Sequence, residues 1–127
     1  MKKTVYLAAV LVLYLKLVFC DKTTIVAPPD EKGPAVGFFI IPGASIGADQ
    51  YLPLATEIQT NNPVYSIWVA TVGGWVGNLV NPLQMKGFIE DTISNMRKEG
   101  LPDSAPVFLA AHSLGGETCM ATYFHIY

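Results

Sequence analysis

The chain reads as an α/β protein, a mostly parallel sheet with helices on both faces. Continuous apolar runs closed by turn residues alternate with stretches whose apolar side chains recur three and four apart. That strand–helix rhythm repeats three times, as expected when parallel strands are joined by right-handed helical crossovers. Ala35–Ile41 (AVGFFII) is apolar throughout, the pattern of a strand buried on both faces, and Pro42-Gly43 ends it. Asp49–Thr60 places Tyr51, Leu52, Leu54, Ala55 and Ile58 on one helical face, with Pro53 tolerated in the first turn. Val64–Val69 (VYSIWV) is β-branched and aromatic, hence a second strand. Ala70–Asn81, with Gly73, Gly74 and Gly77 and no stripe, is a loop. Pro82–Glu99 has Met85, Phe88, Ile89, Ile93 and Met96 at helical spacing between a proline start and a Gly100 stop. Val107–Ala111 (VFLAA) is expected to be a third buried strand, and helix follows from Leu114.

The segment before this pattern differs in kind. Lys2 and Lys3 precede an apolar stretch to Cys20, followed by Asp21 and Lys22, the layout of a secretory signal peptide. Its longest uninterrupted apolar run, the 11 residues Val5–Leu15, is shorter than the roughly 18 a membrane span requires. Bulky Phe19 argues against a lipid-modified Cys20. The expected organisation is a signal peptide at 1–20, a leader at 21–34 with at most one short strand at Thr23–Val26, and the N-terminal part of an α/β domain at 35–127.

Removing the first 20 residues, which hold 16 apolar side chains and three lysines, leaves 107 residues with five basic and ten acidic groups, net −5. That balance excludes a polybasic nucleic-acid binder, and the plentiful aliphatic and aromatic residues exclude a disordered tail. Cys119 is then the one thiol, so no internal disulfide is expected. Two histidines and one cysteine make no metal-ligand cluster, and no cofactor is implied.

Directly after the third strand stands Ala111-His112-Ser113-Leu114-Gly115-Gly116, a variant of G-x-S-x-G opening a helix. A sharp strand-to-helix turn projects the serine oxygen above the sheet, and the residues two places either side must be small for strand and helix to approach. Ala111 and Gly115 meet that size rule. The helix start adds free backbone N–H groups that favour negative charge beside the serine. After the first strand, Pro42-Gly43-Ala44-Ser45 lies where a second oxyanion donor is needed. Ser113 is thus the candidate nucleophile, and the backbone N–H groups of Ala44 and Leu114 are the candidate oxyanion donors. Judged alone, the Pro42–Ser45 loop suits a plain turn equally well.

On these residues the chain resembles the α/β-hydrolase superfamily of lipases, esterases and thioesterases, over roughly Ala35–Tyr127. The elbow His112-Ser113-Leu114-Gly115-Gly116 is similar to the common lipase form, and the phrase IPGASIGADQYLPLATEI is similar to chlorophyllase-like and dienelactone-hydrolase-like branches. One departure is Pro42, where the family usually has a histidine before the oxyanion glycine. The resemblance implies a secreted serine hydrolase acting on a small-molecule carboxylic ester with an apolar acyl group, without a stable membrane span or bound nucleic acid. The triad order Ser, Asp or Glu, His places the acid and the base beyond Tyr127, so the chain is expected to be a partial fold whose sheet a C-terminal half would complete, and a poor enzyme alone.

The histidines present do not fill the gap. His112 is adjacent to Ser113 on the elbow and points away from its oxygen, so it reads as a structural partner. His125 lies twelve residues on, roughly 18 Å along a helix, and reads as a surface or packing residue. Glu117 is too local to orient an absent histidine. In the Gly-rich loop, Trp75, Val76, Leu79 and Val80 suit either an acyl pocket or packing on the sheet. The competing reading is a catalytically inactive secreted binding protein that keeps the fold's pocket or edge as its interaction surface.

Overall fold

The computed structural model describes the backbone of residues 22–124 and side chains as far as residue 120; the segment 1–20, expected to be a signal peptide, and His125 lie outside the described residues. Four strands form one mixed sheet: β1 (Thr24–Val26), β2 (Ala35–Ile41), β3 (Ser66–Thr71) and β4 (Val107–Ala111), in the order β1-β3-β2-β4. β2 is parallel to both β3 and β4, while β1 runs antiparallel on β3. Three helices follow in turn: α1 (Leu52–Thr60), α2 (Pro82–Lys98) and α3 (Leu114–Phe124). Among the described residues no helix is long and apolar enough to cross a membrane.

The alternation of side chains along β2 and β3 builds two cores. Ile40, Ile67 and Val69 pack with Ala55 and Ile58 of α1 on one face. Phe39, Ile41, Trp68 and Ala70 pack with Met85, Ile89 and Met96 of α2 on the other. The first crossover runs from β2 outward to β3, and the second runs back past β2 to β4. Right-handed crossovers in opposite directions must lie on opposite faces. Each large side chain buried in this way, Phe39 and Met85 at 0% exposure among them, stabilises the fold by about 1.5–3 kcal/mol.

Local chemistry sets the element boundaries. The helix expected from Asp49 begins as a 3₁₀ turn, Ala48–Tyr51, and becomes α only at Leu52, with Pro53 in its first turn. An α-helix continued back through Pro53 would drive its ring into the carbonyl four residues earlier. The second strand begins two residues later than its composition suggests. Asn62 Oδ1 accepts from the Val64 and Tyr65 N–H groups, both at 3.0 Å, and holds those residues in a turn. Asn81 caps α2, its side chain accepting from the Leu83 N–H at 2.9 Å, and Gly100 ends it at φ 120°. Arg97 then donates to the carbonyls of Pro102 and Ala105, fastening the turn that leads into β4.

The expectation of a third buried strand is corrected. β4 forms at Val107–Ala111, but Phe108 is 55% and Leu109 39% exposed. β4 lies at the edge of the sheet, and among the described residues nothing pairs with its outer side.

Candidate functional site

The outgoing helices of β2 and β4 lie on opposite faces, for α3 sets Cys119 against the α2-side core. Neighbouring strands whose helices diverge leave a crevice at their carboxyl ends, the usual ligand position in open α/β sheets. Residues Pro42–Ser45 and Ala111–Ser113 both reach that crevice. The ladder runs one residue past β4, where the His112 N–H donates to the Ile41 carbonyl at 3.1 Å.

Ser113 follows at φ 51°, a left-handed conformation rare for a residue with a side chain. Holding it there costs on the order of 1–3 kcal/mol, which the surrounding packing must offset. Ser113 is exposed, and its carbonyl accepts from the Gly116 and Glu117 N–H groups at 2.9 and 3.2 Å, starting α3. Gly115 shows what the turn requires. A Cβ there would lie 2.3 Å from the Pro42 carbonyl oxygen and 2.9 Å from Ile41 Cγ2. Gly116 faces no such limit, its nearest neighbour being the Ala111 methyl at 3.9 Å.

The loop after β2 is fixed from three sides. The Gly43 N–H donates to the Tyr51 hydroxyl at 3.0 Å, and the Gly43 carbonyl accepts from the Ile46 N–H at 3.3 Å. The Ser45 N–H donates to the Asn78 carbonyl at 3.0 Å. Ser45, the third residue of this turn, has φ 58°, the left-handed value that type II and type I′ turns place there. Among the described residues, the N–H groups of Ala44 and Leu114 have no protein acceptor, whereas that of Ser45 is committed. The two candidate donors therefore stand at the crevice unspent.

The other candidates are placed as follows. His112 Nδ1 lies 2.9 Å from the Tyr51 hydroxyl, and the two rings meet edge to face with centroids 6.2 Å apart. Its ring is therefore a structural partner of Tyr51. Glu117 is exposed in the first turn of α3, where a negative charge suits the helix dipole. Cys119 is half-buried on α3, and burial raises its thiol above the ordinary value. Among the described residues no group of three or more metal-ligating side chains converges.

The Gly-rich loop divides between its two readings. Trp75 (1% exposed) and Val80 (6%) belong to the core, Trp75 stacking on Phe88 with ring centroids 4.0 Å apart. Val76 and Leu79 face solvent, and with Pro82 and Gln84 they line a cleft of about 360 Å³. Tyr51 and Asn78 are site residues that composition and spacing do not reveal. Tyr51 reads as part of a helical stripe, and only the pairing of β2 with β4 brings it to His112, 61 positions away. No protein-family model matches the chain, and no curated protein or solved structure is significantly similar to it.

Proposed function

We propose that the chain carries the nucleophile and oxyanion portion of a secreted serine hydrolase of the α/β-hydrolase kind, acting on carboxylic esters. The observation that carries this reading is Ser113 itself: exposed, left-handed, and set between a strand and a helix whose approach admits only glycine at position 115. Its hydroxyl oxygen would attack the ester carbonyl carbon. The negative charge then gathering on the carbonyl oxygen would be met by the Ala44 and Leu114 N–H groups and the positive end of α3. Collapse of that intermediate breaks the ester C–O bond, releases the alcohol and leaves the acyl group on Ser113, from which water removes it. Val76 and Leu79 are exposed in the turn whose Asn78 carbonyl accepts from the Ser45 N–H, an apolar surface that suits an apolar acyl group.

Among the described residues no basic side chain hydrogen-bonds to the Ser113 hydroxyl, so this reading requires a proton acceptor from outside them. Labelling with an alkyl fluorophosphonate tests the assignment, using protein expressed from its complete transcript. The wild type is expected to label and Ser113→Ala not to; equal labelling of both removes Ser113 as nucleophile. A folded protein that neither labels nor cleaves short-chain esters favours the inactive binding protein instead.

A further inference from the structure

Resting on that reading, we propose that Tyr51 is a positioning residue for the oxyanion, a strut whose hydroxyl fixes the loop bearing the Ala44 donor to the elbow bearing the Leu114 donor. Peptide planarity is the first constraint on that loop. The Gly43 carbonyl and the Ala44 N–H are opposite ends of one trans peptide, so a hydrogen bond to the carbonyl aims the N–H the other way. That carbonyl is held by the Ile46 N–H at 3.3 Å. The preceding peptide is held through the Gly43 N–H, which donates to Tyr51 Oη at 3.0 Å. With both peptides flanking Gly43 anchored, its φ and ψ are fixed, although glycine is the residue with most freedom to lose. Losing the Tyr51 contact releases one anchor and lets the Ala44 N–H swing.

A phenol has one proton to give and two lone pairs to accept with. Gly43 uses a lone pair. His112 Nδ1 lies 2.9 Å away and is the partner we assign to the proton, which requires the imidazole tautomer with hydrogen on Nε2. Because His112 immediately precedes Ser113, the hydroxyl touches the oxyanion loop and the elbow at once. The approach is close enough that a Cβ on Gly43 would lie 2.9 Å from His112 Nδ1. Tyr51 is itself fixed by its place at the end of the 3₁₀ turn that Pro53 imposes before α1.

The test compares Tyr51→Phe, His112→Leu and His112→Asn with wild type, again expressed from the complete transcript. The measurements are the saturation kinetics of fluorophosphonate labelling and the hydrogen exchange of the Gly43 amide by NMR. Loss of a whole oxyanion donor costs roughly 100- to 1000-fold in rate, so a donor left present but free to swing is expected to cost about tenfold or more in the maximal labelling rate. Half-saturating probe concentration should not move. The Gly43 amide should exchange at least about tenfold faster, reporting an unpaired N–H. His112→Leu should show the same pair of changes. His112→Asn, whose side-chain oxygen can accept the phenol proton, should restore both to within about threefold. If wild type labels and a folded Tyr51→Phe labels equally fast, or its Gly43 amide exchanges unchanged, the strut is wrong and the nucleophile assignment stands. If wild type itself does not label, the proposed function falls and takes the positioning role with it.

Discussion

The Ser45 N–H donates to the Asn78 carbonyl at 3.0 Å, and both residues carry left-handed backbone, φ 58° and 54°. Two sparsely populated conformations joined by one hydrogen bond tie the loop after β2 to the loop after β3. Proline at position 45 would lack the N–H and require φ near −65°. Ser45→Pro is therefore expected to lose more than about 1 kcal/mol of stability and most fluorophosphonate labelling, while Ser45→Gly stays within about 1 kcal/mol of wild type and labels normally. Urea denaturation and labelling of the two variants check the pair.

At the elbow, stability and chemistry pull apart. Ser113→Gly removes the side chain that makes φ 51° costly, and it is expected to raise unfolding stability by up to about 1 kcal/mol while abolishing labelling. Gly115→Ala puts a methyl against the Pro42 carbonyl and should cost about 1–3 kcal/mol. Gly116→Ala, with open space around it, should be stabilising by about 0.5–1 kcal/mol as a helix-interior replacement. Opposite signs at adjacent glycines make this an internally controlled measurement.

Trp75 separates packing from hydrogen bonding. Its indole N–H is buried without an acceptor among the described residues, so the ring is held by the Phe88 stack and the core alone. Trp75→Ala should cost about 3–5 kcal/mol. Trp75→Phe keeps an aromatic face and discards the unsatisfied N–H, so its cost should fall below about 2 kcal/mol. Thermal or urea unfolding distinguishes the two values.

Cys119 supplies a pH dependence. Burial raises its folded-state value above the ordinary 9.0, so the folded chain retains the thiol proton more strongly than the unfolded chain does. The resulting stability is fully present below pH 9.0 and is lost as pH rises through the folded value. The thiol should also alkylate more slowly in the folded protein than in denaturant at pH 8, with Cys119→Ala removing the adduct at that position and lessening the alkaline decline.

Most of the architecture is legible without coordinates because strand and helix periods differ and because Pro82, Gly100 and Pro42-Gly43 punctuate them. Where the reading shifts, a local side chain is responsible: Asn62 delays β3, and Pro53 forces the turn before α1. The burial of β4 is illegible for a different reason. An apolar run reports what a strand could bury, while the exposure of Phe108 and Leu109 depends on what lies beside it. At the site, Ser113 and the two free amides follow from the turn chemistry. Tyr51 and Asn78 act through contacts between segments distant in sequence, which no spacing records.

The contact between Gly115 and the Pro42 carbonyl involves no side chain on either partner. The closeness of the elbow to the end of β2 is consequently limited by main chain, since even with the Ile41 side chain trimmed a Cβ at position 115 would meet the Pro42 and Ile41 carbonyl oxygens. Under the proposed function, divergence among chains built this way would act on the loops around the serine, the exposed Val76 and Leu79 included, and leave the elbow itself unchanged.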